Sequence, residues 1–168
     1  MTRKVYAPRK SHGWVFLSLL VFPFLIIGGF LMHLYLTTGV IFLLIPTGIS
    51  LGTAILFLII LCGLPSMKYE LDYEKITIKC GLLKYIVPFS SIKKITKRDL
   101  EISLWSSFRF PGLALFKVLY ADVGNVKMCA TSASKGIILI ETDNGLYGIT
   151  PANEDKFMAD FRSRTGGK

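Results

Sequence analysis

From Ser11 to Met67 no Lys, Arg, Asp or Glu interrupts the chain. Apolar residues fill two stretches there, Trp14–Leu36 and Val40–Leu64, separated only by Thr37-Thr38-Gly39. A helix rising about 1.5 Å per residue needs roughly 20 apolar residues to cross the hydrocarbon of a bilayer. The pattern therefore predicts two membrane spans, 14–36 and 40–64, folded into a tight helical hairpin. Pro23 and Pro46 are expected to kink the spans. Gly48 and Gly52 lie four apart, as do Ser50 and Ala54, and Gly28-Gly29 lie in the first span. Small residues at that spacing let helices approach closely, either inside the hairpin or between copies.

After Pro65 the period changes to two. Ile76 and Ile78 alternate with Thr77 and Lys79, and Tyr85 and Val87 with Lys84 and Ile86. Breaks fall at Asp72–Lys75, Gly81 and Pro88, the spacing of successive antiparallel strands. Further strands are predicted at 91–97, 114–121, 125–131, 136–142 and 146–150, with Asp122–Asn125 as a turn. Asn144-Gly145 sits between two apolar runs, the strongest short-range mark of a β-hairpin. Thr150 and Pro151 then offer a cap and a first helical position, with Glu154 and Asp155 in the opening turn. Phe157, Met158 and Phe161 share one face. The expected architecture is a membrane helical hairpin followed by a mainly-β domain, in which about seven antiparallel strands curl into a barrel or sandwich capped by a C-terminal helix.

Charge orients this plan. The tail 1–13 carries Arg3, Lys4, Arg9 and Lys10 and no acid, whereas the turn at 37–39 is uncharged. The Lys/Arg bias predicts a multi-pass membrane protein with both termini in the cytoplasm. A cleavable signal peptide competes poorly, because the apolar region is too long and no small-x-small site follows it. The net charge is +9; residues 68–168 hold sixteen basic and eleven acidic groups, a surplus suited to an anionic leaflet. No helix-turn-helix, zinc module or aromatic-basic platform points to nucleic acid. Cys62, Cys80 and Cys129 are odd in number and widely spaced, and read as reduced thiols.

The order of motifs carries a resemblance. Tyr69-x-Leu71 is followed by Ile76-Thr77-Ile78 and Gly81, then Ile86-Val87-Pro88 with Ile92, then Arg109-Phe110-Pro111-Gly112. A strand ending Ala130-Thr131 precedes Gly145-x-Tyr147-x-Ile149-Thr150-Pro151 with Phe157. This order resembles the bacterial pleckstrin-homology-like domains that follow one or two membrane helices, over roughly residues 67–163, leaving 164–168 as a tail. The resemblance implies a β-sandwich closed by a C-terminal helix and used mainly as a binding or scaffolding surface, and implies little about activity. Phosphoinositide-binding relatives carry Lys and Arg around the first β-hairpin loop. Here Glu70-Leu71-Asp72-Tyr73-Glu74-Lys75 supplies three acids and one base.

Three groups of residues are candidates for recognition. Lys93, Lys94, Lys97 and Arg98 form the densest charge, either a patch for anionic headgroups or an acidic partner, or a solvated strand end that Asp99 and Glu101 half neutralise. Trp105, Phe108 and Arg109 lie in the loop 105–113, suited to a bilayer interface, a protein contact or the cover of a barrel edge. Gly48 and Gly52 are candidates for helix packing. Catalysis lacks parts: a nucleophile needs a base, and the only histidines are His12, in the tail, and His33, near the far end of the first span. No phosphate loop or zinc spacing is present, so no cofactor, metal or small-molecule substrate is expected. The expected partners are membrane lipids, met through the two spans, and a protein or a second copy of the chain. The reading is a non-enzymatic interaction or scaffold module, with lipid sensing or an accessory role in a transport or envelope complex as alternatives.

Overall fold

The computed structural model describes residues 3–103 and 109–165. Trp14–Leu64 form one unit, and the residues before and after them together form a second.

The first unit is built from α1 (Gly13–Thr38) and α2 (Leu44–Gly63), with a 3₁₀ turn at Ile41–Leu43 leading into α2. The helices Gly13–Thr38 and Ile41–Ser66, each 26 residues with mean hydropathy 2.6 and 2.3, are long and apolar enough to cross a membrane. The two helices meet at small and polar residues. Ser50 Oγ donates to the Phe24 carbonyl at 2.8 Å, and Phe24 and Phe57 stack at 5.9 Å. Thr37, Thr47 and Thr53 hydroxyls donate to carbonyls one turn back, so these groups need no water. Pro46 does not sit mid-span: it falls in the first turn of α2, where its missing N–H has no helical partner to lose.

The second unit holds two sheets and a helix. Its first sheet runs β1 (Lys4–Tyr6), β2 (Lys68–Leu71), β3 (Lys75–Cys80), β4 (Leu83–Pro88), each antiparallel to the next. The second contains β5 (Ile92–Arg98), β6 (Arg109–Phe110), β7 (Leu113–Tyr120), β8 (Gly124–Ala130), β9 (Ile137–Thr142) and β10 (Gly145–Ile149). Their order is β5-β9-β10-β8-β7-β6, antiparallel except for β10 beside β8. Helix α3 (Glu154–Thr165) follows.

Tyr69, Leu71, Ile76 and Ile78 of the first sheet, Ile138, Ile140 and Ile149 of the second, and Phe157 and Phe161 of α3 are fully buried. The Tyr69 hydroxyl crosses between sheets to the Cys129 carbonyl at 2.6 Å. Phe161 meets Phe89 edge-on at 5.6 Å, and Phe157 meets Tyr6 at 5.2 Å, so α3 closes the core as its aromatic face predicts. A second apolar cluster, including Val118, Val126, Met128 and Ile137, buries the opposite face of the larger sheet.

Four expectations change. The expected tail 1–13 is, from residue 3 on, part of the domain: β1 pairs with β2, Arg9 N–H donates to the Thr150 carbonyl at 2.8 Å, and Ala152 N–H to the Ala7 carbonyl at 2.9 Å. The β9–β10 turn consists of Asp143 and Asn144, because Thr142 pairs with Gly145, and the positive φ falls on Gly145 alone, at +111°. The cap of α3 is Asn153, whose Oδ1 accepts from Lys156 N–H at 3.0 Å. Thr150 is buried and instead accepts from Thr131 N–H at 2.8 Å. Finally, Cys80 and Cys129 are joined by a disulfide linking β3 to β8, while Cys62 is free. Spacing alone could not reveal this, since 49 residues separate two cysteines that the sandwich brings to a Cα–Cα distance of 5.7 Å.

Candidate functional site

Strand β5 is an edge strand: among the described residues it pairs with β9 only. Its register shifts between Ile92 and Lys94, and exposed cations line it, two devices that keep a free edge from pairing indiscriminately. The four cations of this strand do not form one bare patch. Lys93 pairs with Asp143 at 3.0 Å, which holds its ammonium pKa above the ordinary value. Lys97 pairs with Glu154, and Arg98 with Asp122. The neutralising acids are thus not the adjacent Asp99 and Glu101; Asp99 instead accepts from Gly136 N–H at 2.7 Å.

Lys94, Thr96, Lys97 and Arg98 line a cleft of about 430 Å³ with Val123, Leu139, Glu141 and Leu146. Its lining combines three cations and three apolar side chains with Thr96 and Glu141. Such a groove beside an unpaired strand suits an extended segment with acidic side chains.

Of the aromatic loop, Trp105 and Phe108 lie outside the described residues. Arg109 begins β6 and donates to the Ser103 carbonyl at 2.7 Å. The turn after it is latched to the start of α1. Ser11 Oγ donates to the Gly112 carbonyl at 2.6 Å, and a Cβ added to Gly13 would lie 2.6 Å from that oxygen. Gly112 holds φ +77°, so both backbones approach only because neither residue has a side chain. The Pro111-Gly112 turn is therefore fixed against Ser11 and Gly13.

Gly48 and Gly52 have no atom within 4 Å of where a Cβ would stand. Close approach within the helical hairpin is made instead by Gly28, where a Cβ would lie 2.6 Å from Leu51 Cδ2.

Sequence reasoning counted Glu70 with the first hairpin loop and missed its burial in a strand. It is buried in β2 and ion-paired to Arg3, to Lys79 at 3.3 Å and to Lys68 at 3.5 Å. Its only sequence signal was a lone acid between Tyr69 and Leu71, both apolar. The tail adds three more anchors: Lys4 to Asp160 at 2.7 Å, Tyr6 to the same carboxylate, and Arg9 to Glu154. Glu154 therefore bridges Arg9 of the tail and Lys97 of β5. The Lys4 and Tyr6 hydrogen bonds hold the Asp160 carboxyl below its ordinary pKa. Among the described residues no group of three or more His, Cys, Asp or Glu is placed to hold a metal ion.

No curated protein and no solved structure matches the chain. A family model described as "Bacterial PH domain" matches residues 67–165. The matched stretch begins just before β2 and ends with α3, so it takes in both sheets except the tail strand β1. More than half of the chain is covered, and the sheets and closing helix are those that the motif order implied: the chain belongs to the bacterial PH domain family.

Proposed function

We propose that this is a membrane-anchored, non-enzymatic interaction module that presents its PH domain at the cytoplasmic face and binds a protein partner there. The observation that carries the reading is the pairing of β1 with β2, Tyr6 opposite Tyr69. These neighbouring strands are joined in sequence only through the two apolar helices, so the helical hairpin is an insertion into one domain. Both of its ends must then lie on one side of a membrane, independently of any charge rule. The Lys/Arg surplus of the flanks favours the cytoplasmic side. The disulfide pulls the other way, since such bonds are rare in reducing compartments. Its sulfurs belong to buried residues, out of reach of soluble reductants, and the charge bias decides the assignment.

Recognition is assigned to the free edge of β5 and its cleft, which take an extended acidic segment of the partner. A photo-crosslinking residue in place of Lys94 or Thr96 tests this in living cells. The expected result is a discrete adduct from both positions, lost when Lys94 and Lys97 are reversed to Glu, and none from Tyr73 on the β2–β3 turn. Equal adducts from all three positions, or none from β5, would reject the site. Sensing of lipid by Lys93–Arg98 is the weaker reading, because a headgroup would meet these cations without using the unpaired edge of β5.

A further inference from the structure

The β3–β4 turn is built against the habits of a water-exposed loop. Its central residues are Gly81 and Leu82, between the paired Cys80 and Leu83. Gly81 takes φ +61° at the first central position, the place a type II′ turn reserves for glycine. The second position would ordinarily be polar. It is Leu82, 87% exposed, the most exposed large apolar side chain in the chain's described residues. Leu83 beside it is also exposed.

Behind this apolar tip stands a row of cations. Lys68 pairs across the sheet with Lys79, and Lys79 with Lys84. Cross-strand partners share a face, so three lysines lie side by side on adjacent strands, an arrangement that costs stability through repulsion. Among the described residues the acid that Lys68 and Lys79 pair with is Glu70, which Arg3 also occupies. One carboxylate among four cations leaves a strong local surplus of positive charge. Lys68 begins β2 directly after the second apolar helix, so the row and tip lie at the end of the sheet where the chain arrives from that helix. The turn is also braced: Cys80, next to Gly81, is bonded to Cys129 of the other sheet.

We infer that the β3–β4 tip docks on the anionic leaflet that anchors the protein: Leu82 and Leu83 enter the interface while Lys68, Lys79 and Lys84 meet lipid phosphates. The inference rests on the membrane-anchored reading. It departs from the phosphate-holding loop of phosphoinositide-binding relatives, whose counterpart here, Asp72-Tyr73-Glu74, is acidic and lies at the other end of β3. An apolar tip with a basic collar gains from both burial at the interface and the negative surface potential, and the second gain is absent in neutral lipid.

The test uses the full chain with Cys62→Ser, reconstituted in phosphatidylcholine vesicles with and without phosphatidylglycerol. A fluorophore on Leu82→Cys reports contact with quencher-bearing lipid, and one on Tyr73→Cys serves as the control. The expected result is quenching at position 82 that is several-fold stronger with phosphatidylglycerol, fades in high salt, and falls in the Lys68→Gln/Lys84→Gln variant. That variant keeps Arg3 and Lys79 for Glu70, so the fold is spared. Leu82→Ser, read through a probe at Leu83→Cys, gives the same answer without touching the collar. A probe at 82 that stays in water, or quenching equal in both lipids, overturns the proposal. Protein that fails to float with vesicles at all would instead reject the membrane anchor on which it rests.

Discussion

Tyr69 joins the two sheets through one hydroxyl, and its titration follows from its place. Burial pushes the phenol up to about 12, although the hydrogen bonds with Thr150 act the other way. An unfolded chain ionises the same group near about 10. The stability that this proton provides is complete below the unfolded value and is lost as pH rises through the folded one. Two units correspond to about 2–3 kcal/mol. Tyr120, also raised to about 12 by burial, adds to the same loss. Tyr69→Phe is expected to cost about 1–2 kcal/mol at neutral pH, through the buried hydrogen bonds to the Cys129 carbonyl and from Thr150 N–H, and to shift the alkaline unfolding midpoint upward. Circular dichroism against pH reads it; an unchanged midpoint would contradict the assignment. Gly112 makes a sharper demand. Its positive φ and its approach to Gly13 N, 2.9 Å from an added Cβ, mean that Gly112→Ala costs about 1–2 kcal/mol for the left-handed backbone and displaces the latch besides. Hydrogen exchange should then speed at residues 11–13 while the sheets keep their protection.

At the scale of elements the disulfide matters most. It closes 49 residues of sequence between β3 and β8, and the chain-entropy account gives such a loop about 4 kcal/mol. Cys129→Ser should lower the free energy of unfolding by an amount of that order, and thiol trapping of the unfolded, unreduced protein should find one reactive cysteine, Cys62. Three reactive thiols would remove the bond from the account. The elements also show what periodicity can carry. The long apolar runs and strands such as β3 and β9 were legible, because β3 alternates apolar with polar residues and β9 is a short continuous apolar run ahead of a turn. Strands β1 and β6, three and two residues long, had no room to alternate. The cap of α3 and the β9–β10 turn each differed by a few residues, since several polar residues nearby could serve and only packing chooses. At the candidate site, the cations of β5 were visible as a cluster. Their partners Asp143, Glu154 and Asp122 were not, because each comes from a different element far along the chain.

For the whole molecule, the decisive feature is that the chain leaves a sheet at β1, runs through two apolar helices and returns to the same sheet at β2. A domain cut at residue 67 lacks its edge strand and the tail contacts to Asp160 and Glu154, so the complete chain is the unit to study. The central claim is that this insertion holds one domain at the cytoplasmic face. The most direct measurement is labelling by a membrane-impermeant maleimide in spheroplasts, in a Cys62→Ser background with single added cysteines at Lys10, Thr38 and Lys156. The account predicts that Thr38→Cys reacts in intact spheroplasts, whereas Lys10→Cys and Lys156→Cys react only after lysis. Labelling of Lys10 and Lys156 from opposite sides would break the insertion itself. Labelling of both from outside would contradict the cytoplasmic assignment and place the disulfide-bonded domain on the outer face.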